Sequence, residues 1–168
     1  MGLRKCSNNG NKSKPDFYVG PDGPSATMRA TAYRFVRYKN DDGSLNAWGQ
    51  KLLSDKSALF TYFGFDEFNS GKATRDAFQI KGIDKVNPLN PEDISWSDGR
   101  LRGQFDTLQL FENGIPQVRH PTMFGNEPGK PLELFTKAYP RYGKGGVEQL
   151  YADKRVINFD DVNILPEE

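Results

Sequence analysis

The chain is organised around the stretch Ala32-Tyr33-Arg34-Phe35-Val36-Arg37-Tyr38. Its aromatic and β-branched residues predict a β-strand, in which neighbouring side chains point to opposite faces. Arg34 then shares a face with Ala32, Val36 and Tyr38, so a guanidinium group lies on a mostly apolar surface. A planar group with five donors in an apolar cleft is suited to binding a phosphate or a carboxylate. The alternative is an arginine at a strand edge with its head in water.

Composition and charge limit the class of protein. The 168 residues are 36% hydrophobic, with 17 glycines and 11 prolines, which favours one core built from short strands joined by turns. Residues 1–15 are polar and predict a flexible tail, and residues 16–168 predict a single domain. The net charge of +1 gives no support for binding to DNA or to a membrane. One cysteine and one histidine give no recognisable metal site, so no metal is predicted.

Local patterns predict a mixed α+β chain. Asn46 and Ser70 are suitable N-cap residues for helices over 47–53 and 72–79. One or two further helical turns are expected over 132–138. The predicted strands cover 59–65, 101–110 and 147–151, followed by a final strand pair at 156–159 and 162–165. The loop over 116–131 is long enough to be functional or mobile.

Three segments stand out as carriers of chemistry. They are Tyr33-Arg34, then Phe60-Thr61-Tyr62-Phe63-Gly64-Phe65, and last Gly145-Gly146-Val147-Glu148-Gln149. Their order resembles the ADP-ribosyltransferase superfamily, in which an arginine follows an aromatic residue on an early strand. A Ser/Thr-and-aromatic segment lies on the next strand, and a carboxylate or glutamine lies near the start of a late strand. From about residue 16 onward, the chain is similar to ADP-ribosyltransferase toxin domains of Rhs polymorphic toxins, and Gly2-Leu3 resembles the boundary that precedes them.

The resemblance implies an α+β, ADP-ribosyltransferase-like fold with two small packed antiparallel β-sheets, few short helices and an NAD cleft. NAD would be the substrate, without a metal. Arg34 would hold the pyrophosphate or a ribose hydroxyl, and Glu148 or Gln149 would stabilise the oxocarbenium-like state of the ribose. Only one of these two neighbours can point into the cleft. The residues expected to bind NAD are Tyr33, Arg34, Thr61, Tyr62, Phe63 and Gly64, with Tyr62 or Phe63 stacking on the nicotinamide.

The resemblance also implies a biological setting. The chain would be an antibacterial toxin, held in an Rhs shell before release and secreted by contact-dependent delivery. It would act in the cytoplasm of the target bacterium, as a mono-ADP-ribosyltransferase that modifies a component of the translation machinery. Elongation factor Tu is one candidate target, and a cognate immunity protein would block the toxin.

Three other functions stay open. Catalysis by Gln149, which offers a dipole rather than a charge, would favour plain NAD hydrolysis by an NAD glycohydrolase. A metal-independent ribonuclease of the barnase-like group would use His120, Arg100, Arg102 and Tyr142, although such cleavage usually needs two groups that titrate near neutrality. A non-enzymatic binding module would use the aromatic residues and loops as a partner surface.

Overall fold

The computed structural model describes residues 4–6, 14–19 and 28–168 of the chain. The predicted tail over 1–15 therefore falls mostly outside the described residues. Within that tail, Arg4–Cys6 forms a strand that pairs with Phe17–Val19.

The described residues form several short strands and few helices. The strands are β1 (Arg4–Cys6), β2 (Phe17–Val19), β3 (Met28–Arg29), β4 (Thr31–Val36), β5 (Ser57–Phe63), β6 (Leu101–Asp106), β7 (Phe111–Glu112), β8 (Ile115–Pro116), β9 (Leu150–Asn158) and β10 (Asp161–Ile164). The helices are α1 (Ala47–Asp55), α2 (Gly71–Phe78) and α3 (Met123–Asn126), and Thr107–Leu110 forms a 3-10 helix. The prediction of a mixed α+β chain with few short helices is confirmed.

The paired strands are antiparallel and belong to four small sheets in the part of the chain that the structure describes. Their strand orders are β1-β2-β3, β10-β6-β4, β5-β9 and β7-β8. One isolated bridge, between Tyr33 and Gly64, joins β4 to the residue that follows β5. The sheets containing β4 and β5 therefore meet at that point and diverge beyond it.

The main hydrophobic core lies between the β10-β6-β4 sheet and the β5-β9 sheet. Phe105 of β6 packs edge-on against Phe63 of β5, with ring centroids 5.4 Å apart, and against Phe159, with centroids 5.6 Å apart. These two sheets also contribute fully buried aliphatic side chains to the core: Ala32, Leu101, Ala152 and Ile157.

The two longer helices begin where the sequence predicts, because their caps are local. The Asn46 side chain accepts hydrogen bonds from the N–H groups of Trp48 and Gly49 and so caps α1. The Ser70 hydroxyl accepts one from Ala73 N and caps α2. No described helix is long and apolar enough to cross a membrane.

Three predictions of local structure are wrong. Residues 132–138 form no helix; Thr136 instead donates its N–H to Val147 O at 2.9 Å. The strand predicted over 101–110 ends at Asp106, whose side chain accepts from Leu108 N and caps the 3-10 helix. The last two strands do not pair with each other, because β9 pairs with β5 and β10 pairs with β6.

Candidate active site

A cavity of about 250 Å³ lies where β4 and β5 face the segment 121–149. The end of α2 forms another part of its wall. Polar and aromatic residues from the two strands and from this segment line the cavity: Arg34, Tyr62, Asn126, Glu133, Tyr139 and Gln149.

Arg34 is a half-buried cation on the cavity wall, placed there by β4, where it lies opposite Gly103 of β6. No described residue forms a hydrogen bond or an ion pair with its guanidinium; the nearest described interaction is with the Tyr62 ring, 5.8 Å away. Desolvation by burial lowers the pKa of Arg34 below its ordinary value, and Tyr62 and Tyr151 oppose this shift. A cation in a largely apolar setting is costly without a partner, and an anionic group bound beside Arg34 would offset that cost.

Tyr62 belongs to a cluster of aromatic and cationic side chains beside Arg34. Its ring meets that of Tyr151 edge-on, with centroids 4.6 Å apart. The Arg119 guanidinium lies 4.8 Å from the centre of the Tyr151 ring and forms an ion pair of 2.6 Å with Asp153. Burial, with a smaller contribution from Tyr151, raises the pKa of Tyr62, so its phenol stays protonated at neutral pH. Among these side chains, Tyr62 is the one that lines the cavity.

Gln149 and Glu148 face different surroundings. Gln149 is half-buried and lines the cavity, whereas Glu148 is exposed and bridges to Phe135 through its backbone. Neighbours along an extended backbone point to opposite sides, so only one of them can reach the cavity. The structure brings Gln149, and not Glu148, together with Arg34.

Tyr33 and Thr61 were also predicted to bind NAD. Tyr33 points to the opposite side of β4 from Arg34, and Thr61 points to the opposite side of β5 from Tyr62. The Tyr33 hydroxyl donates to Glu67 Oε2 at 2.7 Å, and burial, followed by this bond, raises the pKa of Tyr33 to about 12. Thr61 is fully buried, and its Oγ1 has no hydrogen-bond partner among the described residues. Both side chains are buried; Tyr33 also lines the cavity, whereas Thr61 does not.

Phe63 and Gly64 border the junction between the two sheets. The Phe63 side chain is only 2% exposed and packs against Phe105, although it also touches the cavity. The N–H and C=O of Gly64 both pair with the backbone of Tyr33, at 3.0 and 2.8 Å. Among the predicted aromatic partners, Tyr62 is the one that presents a half-buried ring to the cavity.

The loop over 139–145 is attached to the end of α2 by side-chain hydrogen bonds to its backbone. Gln79 Oε1 accepts from Tyr139 N at 2.9 Å, and Gln79 Nε2 donates to Gly143 O at 3.1 Å. Asp76 Oδ1 accepts from Lys144 N at 3.0 Å. These bonds fix the wall of the cavity that carries Tyr139.

Sequence reasoning missed Asn126, Glu133 and Tyr139. Asn126 has a left-handed backbone, with φ at 66°, and its Oδ1 accepts from Arg119 Nη1 at 2.7 Å. A Gly-Asn pair is a known signal for such a turn. Glu133 and Tyr139 reach the cavity only through tertiary contacts, which the local sequence does not reveal.

Of the four residues named for a ribonuclease, Arg100 and Tyr142 line one pocket together, and Arg102 and His120 do not line it. Arg100 Nε donates to Leu165 O at 2.8 Å, and Arg102 Nη1 donates to Phe68 O at 2.8 Å. His120 does not line the cavity that contains Arg34. Within the described residues, no group of three or more His, Cys, Asp or Glu side chains could hold a metal ion.

The sequence matches no protein-family model, and comparisons with curated proteins and with solved structures give no match.

Proposed function

We propose that this chain is an NAD-dependent mono-ADP-ribosyltransferase domain with an ADP-ribosyltransferase-like fold. The observation that carries the proposal is the guanidinium of Arg34, which lines a cavity and has no described hydrogen-bond or ion-pair partner. A dinucleotide supplies the missing anion through its pyrophosphate. The order of the three segments that contain Arg34, Tyr62 and Gln149 supports the same class of enzyme.

The size and lining of the cavity fit one end of NAD. At about 250 Å³ the cavity lies just below the ~300–1,000 Å³ of typical ligand sites, so it would take the nicotinamide riboside while the adenosine extends outside. Tyr62 would stack on the nicotinamide. Arg34 would bind the pyrophosphate and fix the bend of the dinucleotide.

The reaction breaks the bond between C1′ of the ribose and N1 of the nicotinamide. The bonding electrons leave with the nicotinamide, and positive charge develops on the ribose in an oxocarbenium-like state. The amide oxygen of Gln149 would accept from a ribose hydroxyl and direct its dipole toward that charge. An acceptor group then attacks C1′ and loses its proton.

NAD hydrolysis is the second candidate function. It is favoured by one observation, that Gln149 lines the cavity while Glu148 is exposed. An uncharged amide gives weaker stabilisation than a carboxylate, which suits water as the attacking nucleophile.

We propose the biological role on the resemblance to Rhs toxin domains alone. In that role the domain is carried in an Rhs shell and delivered to a competing bacterium, where a cognate immunity protein can inhibit it. The target would belong to the translation machinery, with elongation factor Tu as the first to test.

The test is to incubate the purified domain with bacterial lysate and labelled NAD, and to resolve the products by gel and intact mass. A protein of discrete size, heavier by one ADP-ribose, would support transfer and name the target. Label on RNA would keep the reaction and change the target, whereas loss of NAD without labelled macromolecules would leave only hydrolysis. Intact NAD would refute the proposal.

The matched variants are Arg34→Ala and Arg155→Ala. Arg155 pairs with Glu112 at 2.6 Å and does not line the cavity. We expect Arg34→Ala to abolish NAD cleavage and Arg155→Ala to retain it. Full activity in Arg34→Ala would remove the central residue from the proposal.

A further inference from the structure

Glu133 is a buried carboxyl group on the wall of the cavity. Its residue is only 7% exposed, and it faces the same cavity as Arg34 and Gln149. Among the described residues that line the cavity, it is the only one with a carboxyl group. It lies outside the three segments that the sequence analysis singled out.

One oxygen of this carboxyl group is used by the fold. Glu133 Oε2 accepts hydrogen bonds from Lys137 N at 3.0 Å and from Ala138 N at 2.8 Å. The Glu133 N–H donates to Pro121 O at 2.8 Å, which fixes the residue against the neighbouring segment. No described residue donates to Oε1, and no described cation pairs with the carboxyl group. One oxygen is therefore positioned while the other is left for a ligand.

The reaction needs a group that can take a proton from the nucleophile. The other titratable groups on the cavity wall are Arg34 and Tyr33 from β4, Tyr62 from β5 and Tyr139 from the loop. Arg34 is a cation, and burial raises the pKa of all three tyrosines, so none of them is a proton acceptor at neutral pH. Gln149 carries an amide, which does not accept a proton either.

We propose that Glu133 is a catalytic residue whose Oε1 accepts the proton of the nucleophile that attacks C1′. This inference rests on the proposed function. In the step, the bond between C1′ and the nicotinamide N1 breaks and its electron pair leaves with the nicotinamide. The oxygen or nitrogen of the nucleophile bonds to C1′, and its proton passes to Glu133 and then to solvent. The same step applies whether the nucleophile is water, as in hydrolysis, or an acceptor side chain, as in transfer.

The variant Glu133→Gln distinguishes the proposed proton-accepting role of Glu133 from its structural role, which is to accept hydrogen bonds from the backbone of Lys137 and Ala138. Glutamine keeps an oxygen that can accept from Lys137 N and Ala138 N, but it cannot take up a proton. Glu92→Gln is the matched control, because Glu92 is an exposed carboxylate that does not line the cavity. For all three proteins, the release of nicotinamide from NAD is measured between about pH 3 and pH 9, together with the melting temperature at each pH.

We expect Glu133→Gln to melt like the wild type and to cleave NAD about 100-fold more slowly or worse at neutral pH. The wild-type rate should fall in acid, as expected when a carboxylate must accept a proton, and this acidic limb should be missing from Glu133→Gln. Glu92→Gln should retain both the rate and the acidic limb.

Several outcomes would overturn the inference. A folded Glu133→Gln that keeps most of the wild-type rate, or that is slow but keeps the acidic limb, removes the proton-accepting role and leaves the proposed function intact. If Glu133→Gln does not fold, a wild-type rate that stays constant down to about pH 3 has the same meaning. A wild type that leaves NAD intact overturns the inference and the proposed function together.

Discussion

Replacing Arg34 with methionine should make the fold more stable while it destroys binding of NAD. Methionine keeps the length of the side chain and removes a half-buried cation that has no described hydrogen-bond or ion-pair partner. Apolar replacement of a buried ion pair is often stabilising by ~1–4 kcal/mol, and we take about 2 kcal/mol for this single, half-buried cation. The lost contact with the Tyr62 ring, at 5.8 Å, subtracts ~0.5–1 kcal/mol.

The expected net gain is about 1 kcal/mol, which corresponds to a rise in melting temperature of about 2–4 °C for a domain of this size. The measurement is thermal unfolding followed by circular dichroism, with and without NAD. At NAD concentrations 100 times Kd, the wild type should gain about 2.7 kcal/mol. Arg34→Met should gain nothing from NAD.

Arg75→Met is the matched control, because Arg75 is an arginine with partners. Its two terminal nitrogens each lie 2.6 Å from an oxygen of Glu167, and one donates to Asp98 O at 2.9 Å. This variant should lose about 1 kcal/mol or more, since it removes hydrogen bonds between charged groups. A fall in melting temperature for Arg34→Met as large as that for Arg75→Met would refute the reasoning, because Arg34 would then stabilise the fold.

Three other predictions follow from particular contacts. Thr61→Val removes a buried hydroxyl that has no described hydrogen-bond partner, so it should leave the free energy of unfolding unchanged or raise it by up to ~1 kcal/mol in denaturant unfolding. A clear loss of stability would show that the hydroxyl is hydrogen-bonded. Gly143→Ala should lower the free energy of unfolding by ~1–3 kcal/mol and slow NAD cleavage, because a Cβ there would overlap the backbone of Asp76. Wild-type kinetics in this variant would contradict the attachment of the loop to α2. The hydrogen bond to Arg75 lowers the pKa of Glu167 in the folded protein. This carboxylate therefore stabilises the fold at pH values above the ordinary pKa of a glutamate. The stabilisation is lost as the pH falls through the lowered pKa. The difference in melting temperature between wild type and Glu167→Gln should therefore be largest near neutral pH and vanish in acid; a constant difference would argue against the pair.

The sequence was sufficient for the elements with local determinants. The caps of α1 and α2 and the strands around Arg34 and Tyr62 follow from nearby residues. Residues 132–138 could not be assigned in this way, because Thr136 pairs with Val147, eleven residues along the chain. Their conformation is set by contacts between distant parts of the chain.

The residues of the candidate site also differ in whether the local sequence can predict them. Alternation along a strand was enough to say that only one of Glu148 and Gln149 could reach a cleft, and three-dimensional placement was needed to choose Gln149. Glu133 could not be selected from the sequence, since its position depends on the hydrogen bond of its backbone to Pro121 O.

The segment 121–149 supplies about half of the cavity wall and none of the buried residues of the main core. Its attachment depends mainly on backbone hydrogen bonds and on a few side chains of α2. Substitutions in it therefore change what the cavity binds at little cost to the packing of the two sheets. Under selection, related chains can therefore diverge in specificity through the segment 121–149 while Arg34 and the core stay unchanged. The same segment is the region to randomise when this scaffold is engineered to bind new ligands.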